Sequence, residues 1–61
     1  MLLREIQSII LAFDDEREAL KKYEETLEDD TVIERTIYKD YSDIFEKWVY
    51  VVSYKKSFIK F

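Results

Sequence analysis

The chain has no glycine, proline, cysteine or histidine among its 61 residues, and no asparagine either. Each absence removes a class of chemistry. Without cysteine there is no disulfide framework, and the redox compartment is left open, with a reducing one as the default. Without cysteine and histidine the usual zinc, iron–sulfur and haem sites cannot be assembled. Without glycine there is neither a P-loop nor a dinucleotide fingerprint, and an EF-hand loop lacks its central turn residue. The common nucleophile–base pairs need histidine or cysteine. The expectation is a chain that is not an enzyme and holds no cofactor and no metal.

Long apolar runs are missing too. The longest uncharged stretches, Ile6–Phe13 and Trp48–Tyr54, fall far short of the ~18 residues that suggest a membrane span. The opening Met1-Leu2-Leu3-Arg4-Glu5 reads as a native N-terminus and not as a signal peptide, because its one base is cancelled by an acid and no small-residue cleavage site follows. One small cytoplasmic domain over residues 1–61 is expected.

What is present argues against disorder: 48% of the residues are hydrophobic and 16% aromatic. A domain this short buries only ~60% of its unfolded surface. With disulfides and metals excluded by composition, association with a second subunit is the expected source of extra stability. The 39% charged content, rich in Glu and Lys with a single Gln, leans toward hyperthermophile usage.

Apolar residues at Leu3, Ile6, Ile10, Phe13, Leu20 and Leu27 recur in steps of three, four and seven and predict a helix over residues 2–28. Asp15 with Glu18 offers a fresh helix start, so a kink is allowed after Phe13. Glu28-Asp29-Asp30 ends the pattern. Thr31 with Glu34 then looks like a capping box opening a second helix near Val32. In that helix Ile37, Ile44, Val51 and Phe58 are spaced by seven, with Tyr41 and Trp48 in a companion row.

Propensity points elsewhere, since Thr31–Tyr38 and Trp48–Tyr54 are rich in β-branched and aromatic residues. The competing fold is α+β, an N-terminal helix followed by a β-hairpin with strands at 31–39 and 45–54 and a turn at Asp40-Tyr41-Ser42-Asp43. Tight hairpins want Gly or Asn at positive φ, and the chain has neither. The favoured expectation is therefore all-α: a two-helix antiparallel hairpin that dimerises into a four-helix bundle. Such an architecture is similar to the short plasmid RNA-regulating hairpins that dimerise in this way. No motif is shared with them, so the similarity transfers no function.

The net charge of -4 is unevenly spread. Residues 14–30 carry net -6, and residues 47–61 carry net +4 with no acid. In a helical hairpin these would sit at opposite ends. The acidic stretch has the charge of a solvated face, and at a stretch of a weak cation site or a nucleic-acid mimic. Ser53-Tyr54-Lys55-Lys56 and Ser57-Phe58-Ile59-Lys60 match the S-x-x-K spacing of penicillin-recognising enzymes, but no companion motif is present.

Two functional expectations follow. The first is a small acidic regulator or inhibitor acting by protein–protein contact, as a homodimer or with a protein partner. Its interface would be Ile6, Ile10, Phe13, Leu20, Ile37, Ile44, Trp48 and Val51. The second is a module whose basic aromatic C-terminal segment, with Lys55, Lys56, Phe58 and Lys60, contacts nucleic acid or an anionic membrane surface.

Overall fold

The computed structural model describes residues 1–59, and it is mostly β. Strand β1 spans Arg4–Phe13, helix α1 Glu16–Leu27, strand β2 Val32–Ser42 and strand β3 Lys47–Ile59. β3 lies in the centre of a three-stranded sheet, antiparallel to both neighbours, in the order β1-β3-β2. β1 and β2 thus run parallel, joined through α1 and separated by β3, a split β-α-β arrangement. The helix covers one face of the sheet. The described residues form a slab of 45 × 23 × 11 Å.

The all-α hairpin and its four-helix bundle are corrected by this topology. So is the alternative with an N-terminal helix. A hairpin does join residues 32 and 59, with longer strands than expected and its turn at residues 43–46. Residues 4–13 form a strand because Ile9-Ile10-Leu11-Ala12-Phe13 is apolar on both faces of an extended chain as well as on a helix. Three- and four-residue spacings in so short a run do not separate the two periods.

The helix starts at the capping signal. Asp15 is extended, and its carboxylate accepts the Arg17 N–H at 3.0 Å. Glu16 and Glu18 place negative charge in the first turn, where the helix dipole favours it. Thr31 opens no second helix. Its N–H and hydroxyl instead both donate to Asp29 Oδ1, at 2.9 and 2.6 Å, closing the link into β2. No basic residue lies in the last turn of α1. Arg35 supplies that charge from β2, donating to the carbonyls of Thr26 (3.2 Å) and Val32 (3.4 Å).

The hairpin turn works without glycine. Ser42 Oγ accepts the Phe45 N–H at 3.3 Å, and Glu46 adopts φ 54°. That is the left-handed region, which costs a residue with a Cβ about 1 kcal/mol.

The core lies between α1 and the sheet. Ala19 and Val52 are fully buried, with Val32 and Tyr54 beside them. Ile9, Leu11, Phe13, Tyr23, Ile37 and Tyr50 pack around that centre. Ala19 has a side chain small enough for the helix to approach the middle of β3.

Candidate docking surface

Alternation along the strands sorts the side chains onto two faces. Register places Leu11 and Ile37 on either side of Val52, and Ile9 and Arg35 on either side of Tyr54. These residues lie on the helix-covered face. The next positions belong to the opposite face. There Ala12 and Tyr38 flank Val51, Ile10 and Thr36 flank Ser53, and Asp40 lies beside Val49. Among the described residues no second layer covers this face.

The open face is mixed, with Ile6, Ile10, Ala12, Tyr38, Val49 and Val51 set among Ser8, Glu34, Thr36, Asp40, Ser53 and Lys55. Ile10 is 70% exposed, Ile6 51% and Tyr38 45%. Val49 and Val51 are buried between their neighbours. At the hairpin tip Ile44 is 88% exposed and Phe45 66%. Phe45, Ala12 and Val49, with Phe13, Asp14 and Lys47 at the rim, line a shallow cleft of about 230 Å³ that opens to solvent.

The expected interface residues are thus divided. Ile6, Ile10 and Val51 come together on the open face. Phe13 and Ile37 lie on the helix-covered face against the core. Leu20 is partly exposed on α1, and Ile44 is in the turn. Trp48 is exposed on the helix-side face beyond the end of the helix, edge-on to Tyr41 with centroids 5.5 Å apart. Lys39 Nζ lies 5.4 Å from the Trp48 ring centroid. The heptad spacing misled because seven is odd. In a strand a step of seven reverses the face, so Ile6 and Phe13 part company. Tyr38 and Phe45 were missed. The β-branched and aromatic enrichment of 31–38, read as a two-sided strand, was the signal that would have found Tyr38.

The basic aromatic segment does not present one surface. Lys55 lies on the open face, whereas Lys56 and the half-buried Phe58 lie on the other. Lys60 lies outside the described residues. Three lysines of this segment are matched by carboxylates from other parts of the chain. Lys47 reaches Asp14 (3.7 Å), Lys55 reaches Glu34 (3.1 Å) and Lys56 reaches Asp29 (3.1 Å). The opposed electrical ends expected of a helical hairpin therefore do not form. The S-x-x-K spacing also fails at the first match, since Ser53 and Lys56 project from opposite faces of β3, and the second match ends outside the described residues.

Asp29 is the most perturbed titratable group among the described residues. The Thr31 hydroxyl, then the Thr31 N–H and Lys56, hold its carboxyl down to about 2 from an ordinary 3.8. All these partners serve the α1–β2 link, so the shift reads as structural. No group of three or more Asp and Glu gathers among the described residues to hold a metal ion. No described helix is long and apolar enough to cross a membrane.

The chain matches no protein-family model, and no curated protein or solved structure is significantly similar to it.

Proposed function

We propose that the protein is a non-enzymatic interaction module that binds another protein through the open face of its sheet. The observation that carries this reading is the exposed Ile6, Ile10, Ala12 and Tyr38 around the buried Val51, a face that no second layer covers among the described residues. A solvated antiparallel face normally alternates to polar side chains. Contiguous exposed apolar surface on a small protein marks a docking site.

The nucleic-acid or membrane alternative has less support. Of its lysines, Lys55 is held by Glu34 and Lys56 by Asp29, and these two lie on opposite faces.

Site-specific photo-crosslinking in the native cell tests the proposal. A photoreactive phenylalanine analogue at Ile10 or Tyr38 should yield a discrete adduct to a different protein. The same probe at Glu24, on the exposed side of α1, should not. Equal adducts from both positions, or none from Ile10 and Tyr38, would overturn the reading.

A further inference from the structure

The two edges of the sheet are built differently. The β2 edge carries Glu34, Arg35, Lys39 and Asp40, and a register shift between Val32 and Glu34 distorts its pairing. Charges and bulges are the usual protection of an edge against further pairing. The β1 edge has no bulge, and its only charges, Arg4 and Glu5, lie at its first two residues. From Gln7 to Phe13 it carries no charge, no proline and no irregularity over an unbroken pairing with β3. Among the described residues no strand lies on its outer side, and α1 packs less on β1 than on β2 and β3. Ile6 and Ile10 on one face, and the half-buried Ile9, Leu11 and Phe13 on the other, line this edge.

We propose that β1 pairs antiparallel with β1 of a second copy, giving a two-fold dimer with a continuous six-stranded sheet. This goes beyond the docking of a partner on the open face, because it uses a different surface. Three observations select a second copy as the occupant. First, Arg4 at the start of β1 and Asp14 one residue past its end are opposite in sign, each exposed beside a partner in its own chain, Ser57 and Lys47. Antiparallel pairing with Ile9 on the two-fold axis sets Arg4 opposite Asp14 twice. Second, that register keeps every side chain on its own face. Ile6 meets Ala12 and Ser8 meets Ile10 on the open face, while Leu11 meets Gln7 on the helix side. The axis then stands perpendicular to the sheet, so both helices lie on one side and both open faces on the other. Third, the assembly closes. Pairing β1 with β1 uses the unguarded edge completely and leaves only the two charged, bulged β2 edges outside. In this register the nine β1 residues from Glu5 to Phe13 pair with the second copy and supply about nine backbone hydrogen bonds. They also cover apolar side chains that the monomer leaves half exposed.

The absence of cysteine makes single-cysteine probes clean. Sedimentation of the unmodified chain should give twice the 7.5 kDa chain mass at micromolar concentration. Ile9→Cys should oxidise to a covalent dimer that keeps the native circular dichroism. Thr36→Cys, on β2, should not. The double variant Ser8→Glu/Ile10→Glu sets like charges opposite each other twice, and should weaken self-association roughly tenfold or more. Mixing it with Ser8→Lys/Ile10→Lys should restore a dimer containing one of each. That rescue separates lost pairing from lost folding. A monomer at about 100 µM (~100-fold above a 1 µM dissociation constant) would overturn the edge dimer and leave the face-docking reading untouched. A dimer that resists Ile9→Cys cross-linking would also overturn it. Such a dimer would be stacked through the open faces, where Ile9 on the helix side cannot meet its copy. Failure of the Ile10 and Tyr38 photo-adducts, with Ile9→Cys cross-linking intact, would sink the face-docking reading alone.

Discussion

Val52→Ala should be among the most damaging conservative changes in the chain, and its size follows from where the side chain lies. Val52 is fully buried, in the middle of β3 and facing α1. Truncation removes two methyl groups from the core. At about 0.8 kcal/mol each the lost transfer energy is ~1.6 kcal/mol, and an incompletely collapsed cavity brings the total to about 2–3 kcal/mol. A 61-residue domain has ~3–9 kcal/mol of stability in all. The change should therefore lower the melting temperature by ~10–20 °C. The reference is Ile10→Ala. Ile10 is 70% exposed, so its truncation should cost less than about 1 kcal/mol in the monomer. Thermal and urea denaturation, followed by circular dichroism at a concentration low enough to keep the chain monomeric, measures both. The comparison separates the folds. In a helical hairpin Ile10 would lie in the buried seam and Val52 beside it. A loss at Ile10 equal to or larger than that at Val52 would refute the strand assignment and the two-face argument built on it.

Three further outcomes are expected. Glu46→Gly should relieve the left-handed backbone at φ 54° and stabilise the protein by about 0.5–1 kcal/mol after the entropy of glycine is counted. Glu46→Val should destabilise it, and a melting temperature ordered the other way would remove the strain argument. Asp29 has a folded pKa lowered to about 2 from 3.8. Its contribution is therefore fully present above about pH 4 and lost as the pH falls toward 2. Urea midpoints measured across that window should fall for the unmodified chain and flatten for Asp29→Asn. Asp15→Ala removes the helix N-cap and should cost about 1 kcal/mol, with Asp15→Asn close to neutral in the same denaturation assay.

The helix signals near Asp15 and the end of the pattern at Glu28-Asp29-Asp30 were readable because capping and charge act locally. The strand pairing was not, for two physical reasons. In β1, Ile6, Ile9, Ile10 and Phe13 satisfy a helical stripe and a two-sided strand equally, and only the central β3 decides between them. In the hairpin, the missing glycine and asparagine argued against a turn that the chain makes anyway, with Glu46 taking the strained position. Tertiary pairing along a 13-residue β3 outweighs a local penalty near 1 kcal/mol. Strand propensity in 31–38 and 48–54 was the better guide, because it reflects how β-branched and aromatic side chains fit a pleated surface. For the candidate surface, Ile6, Ile10 and Val51 were legible as apolar. Which of them share a face was not, since that depends on a period of two.

The amount of apolar side chain explains why an uncovered face exists at all. A sheet of three strands has two faces to bury, and this chain has a single 12-residue helix to place on them. The helix side accounts for Ile9, Leu11, Phe13, Ile37, Val52 and Tyr54. A chain selected only to fold would alternate those residues with lysine, threonine and glutamate, as β2 does at Glu34, Thr36 and Asp40. β1 departs from that rule at Ile6, Ile10 and Ala12, and β3 departs from it at Val49 and Val51. Those departures cluster on one face and adjoin the unguarded edge. Pairing at that edge would bring the two copies of Ile6, Ile10 and Ala12 together into one strip, twice the width that a monomer offers. A partner bound there would then engage both chains at once, and its affinity would rise with dimerisation although neither chain changes shape.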